Sequence, residues 1–228
     1  MNNSQRRFAI SDIHGCLASF KNLLKKINYT KSDTLYLLGD YIDRGPDSKG
    51  VIDYIWQLQA AGYSVHCLLG NHEQMLLDSV AKPSPFYKGN PEVLANFEVN
   101  HNQFIPKKYI AWMKKLAHYI ELADYLLVHA GLNFEKENPL ADLDSMIWIR
   151  YWYDAINKEW LGNRIVIHGH TPTKQLDIKR SLKELVEIPA INIDAGCVFQ
   201  SFGLGHLCAL NLDTKMLTFQ ARIDEVAY

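Results

Sequence analysis

The chain is 228 residues long, with 24 Lys and Arg against 25 Asp and Glu and a formal net charge of -1. That length suffices for one well-buried core and is short for two domains, so a single domain over 1–228 is expected; the balanced charge argues against nucleic acid or an anionic membrane as a partner. No stretch approaches the roughly 18 apolar residues of a membrane span, Met1–Arg7 carries no apolar leader-like run, and the dispersed Cys16, Cys67, Cys197 and Cys208 read as reduced thiols, so a soluble cytoplasmic protein is expected.

Phe8 to Ser11 is predicted as a short buried strand ending in the polar turn Asp12-Ile13-His14-Gly15. Leu17, Phe20, Leu24 and Ile27 then share one helical face. Thr34 to Leu38 is a second strand, and Gly39-Asp40-Tyr41-Ile42-Asp43-Arg44-Gly45 stands at its end. A helix follows with Asp47 or Ser48 as N-cap, an apolar face of Val51, Ile52, Ile55 and Leu58, and Gly62 as its stop. Val65 to Leu69 repeats the plan as a strand, with Gly70-Asn71-His72-Glu73 opening a helix through Met75, Leu76 and Val80. Three strand–helix alternations predict parallel βαβ units, with ligands at the carboxyl ends of the strands.

Between about residues 82 and 107 the rhythm breaks at Pro83, Pro85, Pro91 and Pro106. With Phe86, Tyr87, Phe97 and Phe104 this reads as a surface insertion with some helix near Glu92 to Val99, and it is a candidate substrate-selecting element. A helical segment, Tyr109 to His118, comes next. Tyr125 to Val128 and Ile165 to Ile167 are further strands, ending in His129-Ala130-Gly131 and His168-Gly169-His170-Thr171. Ala190 to Ile193, Leu207 to Leu210 and Met216 to Ala221 are strand candidates without intervening helices, which predicts antiparallel pairing and mixed sheets.

Five polar clusters thus stand at strand ends: Asp12/His14, Asp40/Asp43/Arg44, Asn71/His72, His129 and His168/His170. Carboxylate, amide oxygen and imidazole without thiolate are a ligand set for Mn, Fe or Zn. Two ions 3.5–4 Å apart need roughly six or seven such ligands and a shared one, which a bidentate carboxylate supplies. Each cluster has a bland counterpart: Asp43 as a turn cap, Asn71 as a left-handed turn residue, His129 as a core histidine, Arg44 paired with Asp47. Their joint occurrence in one frame favours a metal centre beside a phosphate site.

Asp12-Ile13-His14-Gly15, Gly39 to Gly45 and Gly70-Asn71-His72-Glu73 resemble the signature of the calcineurin-like metallophosphoesterases, with 24 residues between His14 and Gly39 and 25 between Arg44 and Gly70. His129-Ala130-Gly131 and Gly169-His170-Thr171 are similar to the two later metal-ligand motifs, and the G-D-x-x-D-R-G and G-N-H-E forms to the phosphoprotein phosphatase branch, including its bacterial and phage Ser/Thr phosphatases. The resemblance implies an α/β fold of two mixed β-sheets packed as a sandwich flanked by helices. It implies that Asp12 and His14 hold one metal, Asn71, His129 and His170 the other, and Asp40 both. His72 would be the general acid oriented by Asp43, and Arg44 and Arg150 would grip phosphate, with His168 in a structural or supporting place. The expected cofactors are two divalent cations, Mn foremost with Fe or Zn as alternatives. The expected reaction is hydrolysis of phosphoserine and phosphothreonine in proteins or peptides by a hydroxide bridging the metals. A dinucleoside polyphosphate (diadenosine tetraphosphate) hydrolase is the alternative, disfavoured by the short chain, and a phosphate-binding regulatory module is the non-enzymatic one.

Overall fold

The computed structural model describes residues 5–84 and 89–225; Pro85, Phe86 and Tyr87 of the proline-punctuated stretch lie outside them. In chain order the elements are β1 (Arg7–Ile10), α1 (Leu17–Lys26), β2 (Thr34–Leu37), α2 (Ser48–Ala60), β3 (Ser64–Cys67), α3 (Asn71–Ala81), α4 (Pro91–Asn96), α5 (Lys107–Met113), β4 (Tyr119–Glu121), β5 (Tyr125–Val128), α6 (Leu143–Trp148), α7 (Lys158–Leu161), β6 (Ile165–His168), α8 (Gln175–Ser181), β7 (Ala190–Asn192), β8 (His206–Asn211) and β9 (Leu217–Ala221). They form a five-stranded sheet in the order β3-β2-β1-β8-β9 and a four-stranded sheet in the order β4-β5-β6-β7. Both sheets are mixed, as expected: β1, β2 and β3 run parallel, β8 and β9 antiparallel to their neighbours. In the second sheet β4 alone is antiparallel.

The period-2 alternation of strand side chains builds the layers. Phe8, Ile10, Leu35 and Leu37 face α1, α2 and α3, packing with Phe20, Leu23, Val51, Ile55 and Leu76. Ala9, Tyr36 and Leu38 face the other way, onto Tyr125, Leu127, Ile167 and Ile191 of the second sheet. Leu126, Val128 and Val166 turn outward onto Met146 of α6, Leu161 of α7 and Trp152. Each large apolar side chain buried this way contributes about 1.5–3 kcal/mol. At the amino-terminal edges Arg7 ties the sheets together, donating to Asp124 at 2.9 and 2.8 Å and to Asp213 at 2.8 Å.

One local reading is corrected. β7 pairs parallel with β6, not antiparallel, because α8 provides the crossover that parallel neighbours need. The 82–107 stretch is tied to the body: Val93, Phe97 and Ile105 join the helix-side core, and the Asn96 side chain donates to the Pro46 carbonyl at 2.8 Å.

The registers fix where the chemistry lies. Ile10 pairs with Leu37 and Leu37 with Cys67, so β1, β2 and β3 end level and release their following turns at one edge. Leu127 pairs with Ile167, and His168 with Asn192, which does the same for the second sheet. The two edges meet where His129 Nδ1 lies 2.9 Å from the Leu38 carbonyl.

Candidate active site

The turn after β2 is built around a buried acid. Glu73, in the first turn of α3, is fully buried and accepts from four backbone N–H groups: Asp40 (2.9 Å), Tyr41 (2.8 Å), Ile42 (3.2 Å) and Gly70 (3.1 Å). The His14 N–H donates to the Asp40 carbonyl (2.9 Å) and the Gly15 N–H to that of Tyr41 (2.8 Å), locking the first turn onto the second. Backbone strain concentrates here. Among the described residues, nine non-glycine residues have positive φ, and six of them are Asp12, His14, Asp40, Asp43, Arg44 and His170. Asp and His tolerate that region better than Arg, so at Arg44 (φ 68) the surrounding contacts must impose it. Gly39 adopts φ +102. Gly45 is needed for a different reason, since a side chain there would collide with the His14 carbonyl.

The candidate residues converge. Asp40 is buried and shared by two groups, His14/Asp40/His72 and Asp40/His129/His170, each with ligand-type atoms within 4.8 Å of one another. Its Oδ2 is 3.5 Å from His14 Nε2 and 3.9 Å from His72 Nε2; its Oδ1 is 3.5 Å from His129 Nε2. Asn71 Oδ1 lies 3.0 Å from His129 Nε2 and 2.9 Å from His170 Nδ1, which brings the second expected set together. His14 Nδ1 and His129 Nδ1 lie 2.8 and 2.9 Å from the carbonyls of Ile42 and Leu38. Donating there leaves both Nε2 lone pairs aimed inward, the tautomer a ligating histidine requires. Among the described residues, His170 Nε2 is buried with no hydrogen-bond partner. Asp12 stands apart from both groups: its carboxylate accepts the His170 N–H (3.2 and 3.1 Å) and the Ser11 hydroxyl.

His72 Nδ1 is 2.5 Å from Asp43 Oδ2. Burial would lower the His72 imidazole, but the Asp43 hydrogen bond and the Asp40 and Asp43 charges outweigh it, and its pKa is raised. The other site histidines move the opposite way: burial pushes His14 and His170 down to about 3 and lowers His129. Burial and the neighbouring Asp194 and Asp40 raise Asp12 well above the carboxylate range, and burial pushes Asp194 up to about 7. Neutral imidazoles, crowded acids and a buried imidazole nitrogen form a donor set of the kind that divalent cations bind.

Arg44 and Arg150 are exposed at the rim. Arg44 Nη1 lies 3.0 Å from His14 Nε2, with the guanidinium over the Phe199 ring at 5.6 Å. Arg150 donates to Thr171 Oγ1 at 3.1 Å. His168 is turned away, with Nε2 2.6 Å from the Tyr153 hydroxyl and its ring 5.1 Å from Trp152. Two residues escaped the sequence reading. Asp194 follows β7 at a strand end, where the rule that found the other clusters applies equally. Glu73, three residues after Gly70, occupies the position of a capping-box acid.

The family model described as calcineurin-like phosphoesterase matches residues 6–195. The chain is 28% identical over 231 residues to a bis(5'-nucleosyl)-tetraphosphatase PrpE [asymmetrical] from Bacillus thuringiensis (strain Al Hakam), covering 88% of each chain. It is similar to the crystal structure of a protein designated a candidate diadenosine tetraphosphatase, with TM-score 0.67, 26% identity and 96% and 94% of the two chains covered. A protein serine/threonine phosphatase from Saccharomyces cerevisiae shares the fold, with TM-score 0.69, 16% identity and coverage of 98% and 82%.

Proposed function

The chain belongs to the calcineurin-like phosphoesterases, metal-dependent hydrolases of phosphate esters, and on that premise we propose that it cleaves bis(5'-nucleosyl) tetraphosphates asymmetrically, into a nucleoside triphosphate and a nucleoside monophosphate. The observation that carries this reading is the likeness to a nucleosyl-tetraphosphatase along 88% of both chains. The same number removes the argument that a short chain favours a protein phosphatase, because the tetraphosphatase relative is matched over nearly its whole length. The yeast phosphatase, at 16% identity, bears on the fold alone.

His14, Asp40, His129 and His170 would hold two divalent cations, with Asp40 shared between the two groups; Asn71, between His129 and His170, would complete the second set, and Asp12, whose carboxylate accepts the His170 N–H, would reach the first from outside those groups. The oxygen and imidazole donors suit Mn, Fe or Zn, and Mn is the first choice. Cations there would supply charge neutralisation at the phosphoryl group and water of lowered pKa. The remaining chemistry belongs to the side chains. Arg44 and Arg150 make planar, charge-assisted bonds to phosphoryl oxygens at the rim. Asp43 fixes the His72 ring through Nδ1, which leaves Nε2 facing Asp40 at 3.9 Å. From that nitrogen a proton passes to the departing oxygen.

The leaving group separates the two substrate classes chemically. A nucleotide phosphate, with a second pKa near ~6, departs as an anion with little help. A serine alkoxide needs the proton. His72 therefore matters far less for the tetraphosphate than for a phosphoserine peptide. The test compares kcat/KM for diadenosine tetraphosphate, a phosphothreonine peptide and a phosphotyrosine peptide with added Mn, using Asp40→Asn as the inactive control. Preference for the dinucleotide is expected; preference for either peptide overturns the substrate assignment.

A further inference from the structure

Tyr151 is 97% exposed, although the two aromatics that follow it in the chain, Trp152 and Tyr153, are packed. Trp152 and Tyr153 lie against His168 with ring centroids 5.1 and 5.6 Å away, while Tyr151 projects from the same segment without cover. It borders an open cleft of about 360 Å³ whose walls include Glu135, Arg150, Tyr153 and Asp154. That volume lies within the usual range for small-ligand pockets. Arg150 is shared between the cleft and the metal-type centre: its guanidinium donates to Thr171, the residue after His170. One end of the cleft is therefore walled by Arg150, one of the two arginines proposed to hold phosphate.

The cleft and the rim have opposite electrostatic character. Arg150 offers a fork for phosphoryl oxygens. Glu135 and Asp154 repel phosphate and accept hydrogen bonds. A ligand that satisfies both has an anionic part at Arg150 and a neutral, planar part with N–H donors further along. We infer that this cleft is a nucleobase subsite, in which Tyr151 stacks on one base of the substrate while Glu135 and Asp154 accept from the N–H edge of an amino-bearing base. This rests on the nucleotide reading of the substrate and extends it to the class of base. Stacking on a tyrosine is indifferent to which base is present, so the two acids set the preference: adenine, guanine and cytosine carry an exocyclic amino group, and uracil does not.

The experiment uses the metal-loaded enzyme and a small aryl phosphate as reporter, with AMP, UMP and inorganic phosphate as competing inhibitors. AMP is expected to inhibit at about a tenfold lower concentration than inorganic phosphate, the size of one modest base–aromatic stack, and UMP to fall between them. Tyr151→Ala should bring the AMP-to-phosphate ratio close to one, and Tyr151→Trp should restore it. Replacing Glu135 and Asp154 together by Ala should level AMP and UMP. With diadenosine tetraphosphate as substrate, Tyr151→Ala should raise KM about tenfold and leave kcat nearly as it was. Equal inhibition by AMP and phosphate in the unmodified enzyme, or an AMP advantage that survives Tyr151→Ala, overturns the subsite. A wrong tetraphosphate assignment appears separately, as failure to hydrolyse the dinucleotide while the AMP advantage and its loss in Tyr151→Ala persist.

Discussion

Replacing Glu73 by Gln tests how the phosphate-facing turn is held without touching any proposed ligand. The Oε1 atom accepts from Tyr41 and Ile42, and Oε2 from Asp40 and Gly70. An amide keeps one oxygen and presents an NH₂ group in place of the other. Whichever way the amide sits, two backbone N–H donors then face a donor in a site with no exposure to water. Each buried donor left unsatisfied costs about 1–3 kcal/mol, so the pair costs about 2–6 kcal/mol. For a chain of this size each kcal/mol lowers Tm by roughly 2–4 °C, which places the expected fall between about 4 and 24 °C. Calorimetry of the metal-loaded protein reads it. The same variant should bind divalent metal more weakly, because Asp40 and Asp43 ride on the turn that Glu73 secures. A Tm within about 2 °C of the unmodified protein, with metal retained, would refute the assignment of Glu73 as the organising acid.

Removing divalent metal with a chelator should abolish activity and lower Tm, and adding metal back at about 100 times its Kd should restore about 2.7 kcal/mol; calorimetry that is blind to metal would contradict the donor set. His72→Asn should cost about 10²–10⁴ in kcat on a phosphoserine peptide and much less on diadenosine tetraphosphate, read by steady-state rates; equal losses on both would remove the leaving-group argument. Asp33 supplies a pH test: burial pushes its carboxyl up, but the hydrogen bonds from Arg6 and Thr30 prevail and hold it below the usual range. A depressed folded pKa gives stability that is present above the unfolded value and lost as pH falls through the folded one. Asp33→Asn should thus cost about 1–2 kcal/mol near neutrality, with Arg6 partly exposed, and the difference should shrink below pH ~4; a penalty constant with pH would contradict the ion pair.

The legible parts of the molecule were those with a short-range physical signature. Apolar runs such as Leu35 to Leu38 and Tyr125 to Val128 announce strands, and the polar residues after them stand where level strand ends release them. Asp12, Asp40, Asn71, His129 and His170 stand out as candidates in this way, and the fold brings them to one edge. The missed parts depend on tertiary context. β4 has three residues and α8 seven, too few for a periodic signal, and without α8 the parallel pairing of β7 was invisible. Asp194 stands directly after the strand candidate Ala190 to Ile193, where the strand-end rule that picks out the other clusters reaches it as well. Val93, Phe97 and Ile105 sit in a proline-broken stretch with no clear face, yet pack into the main core. Tyr151 stands among the aromatics Trp148 and Trp152 with no sequence signal of its own, and its 97% exposure is a tertiary fact.

The substrate is the central claim, and a single-vessel competition addresses it directly. Equal concentrations of diadenosine tetraphosphate and a phosphothreonine peptide are given to the Mn-loaded enzyme, and the products are separated by anion exchange during the first few per cent of turnover. ATP and AMP in equal amounts are expected, with the peptide largely intact. Dephosphorylated peptide with the dinucleotide untouched, or ADP as the nucleotide product, would contradict that claim.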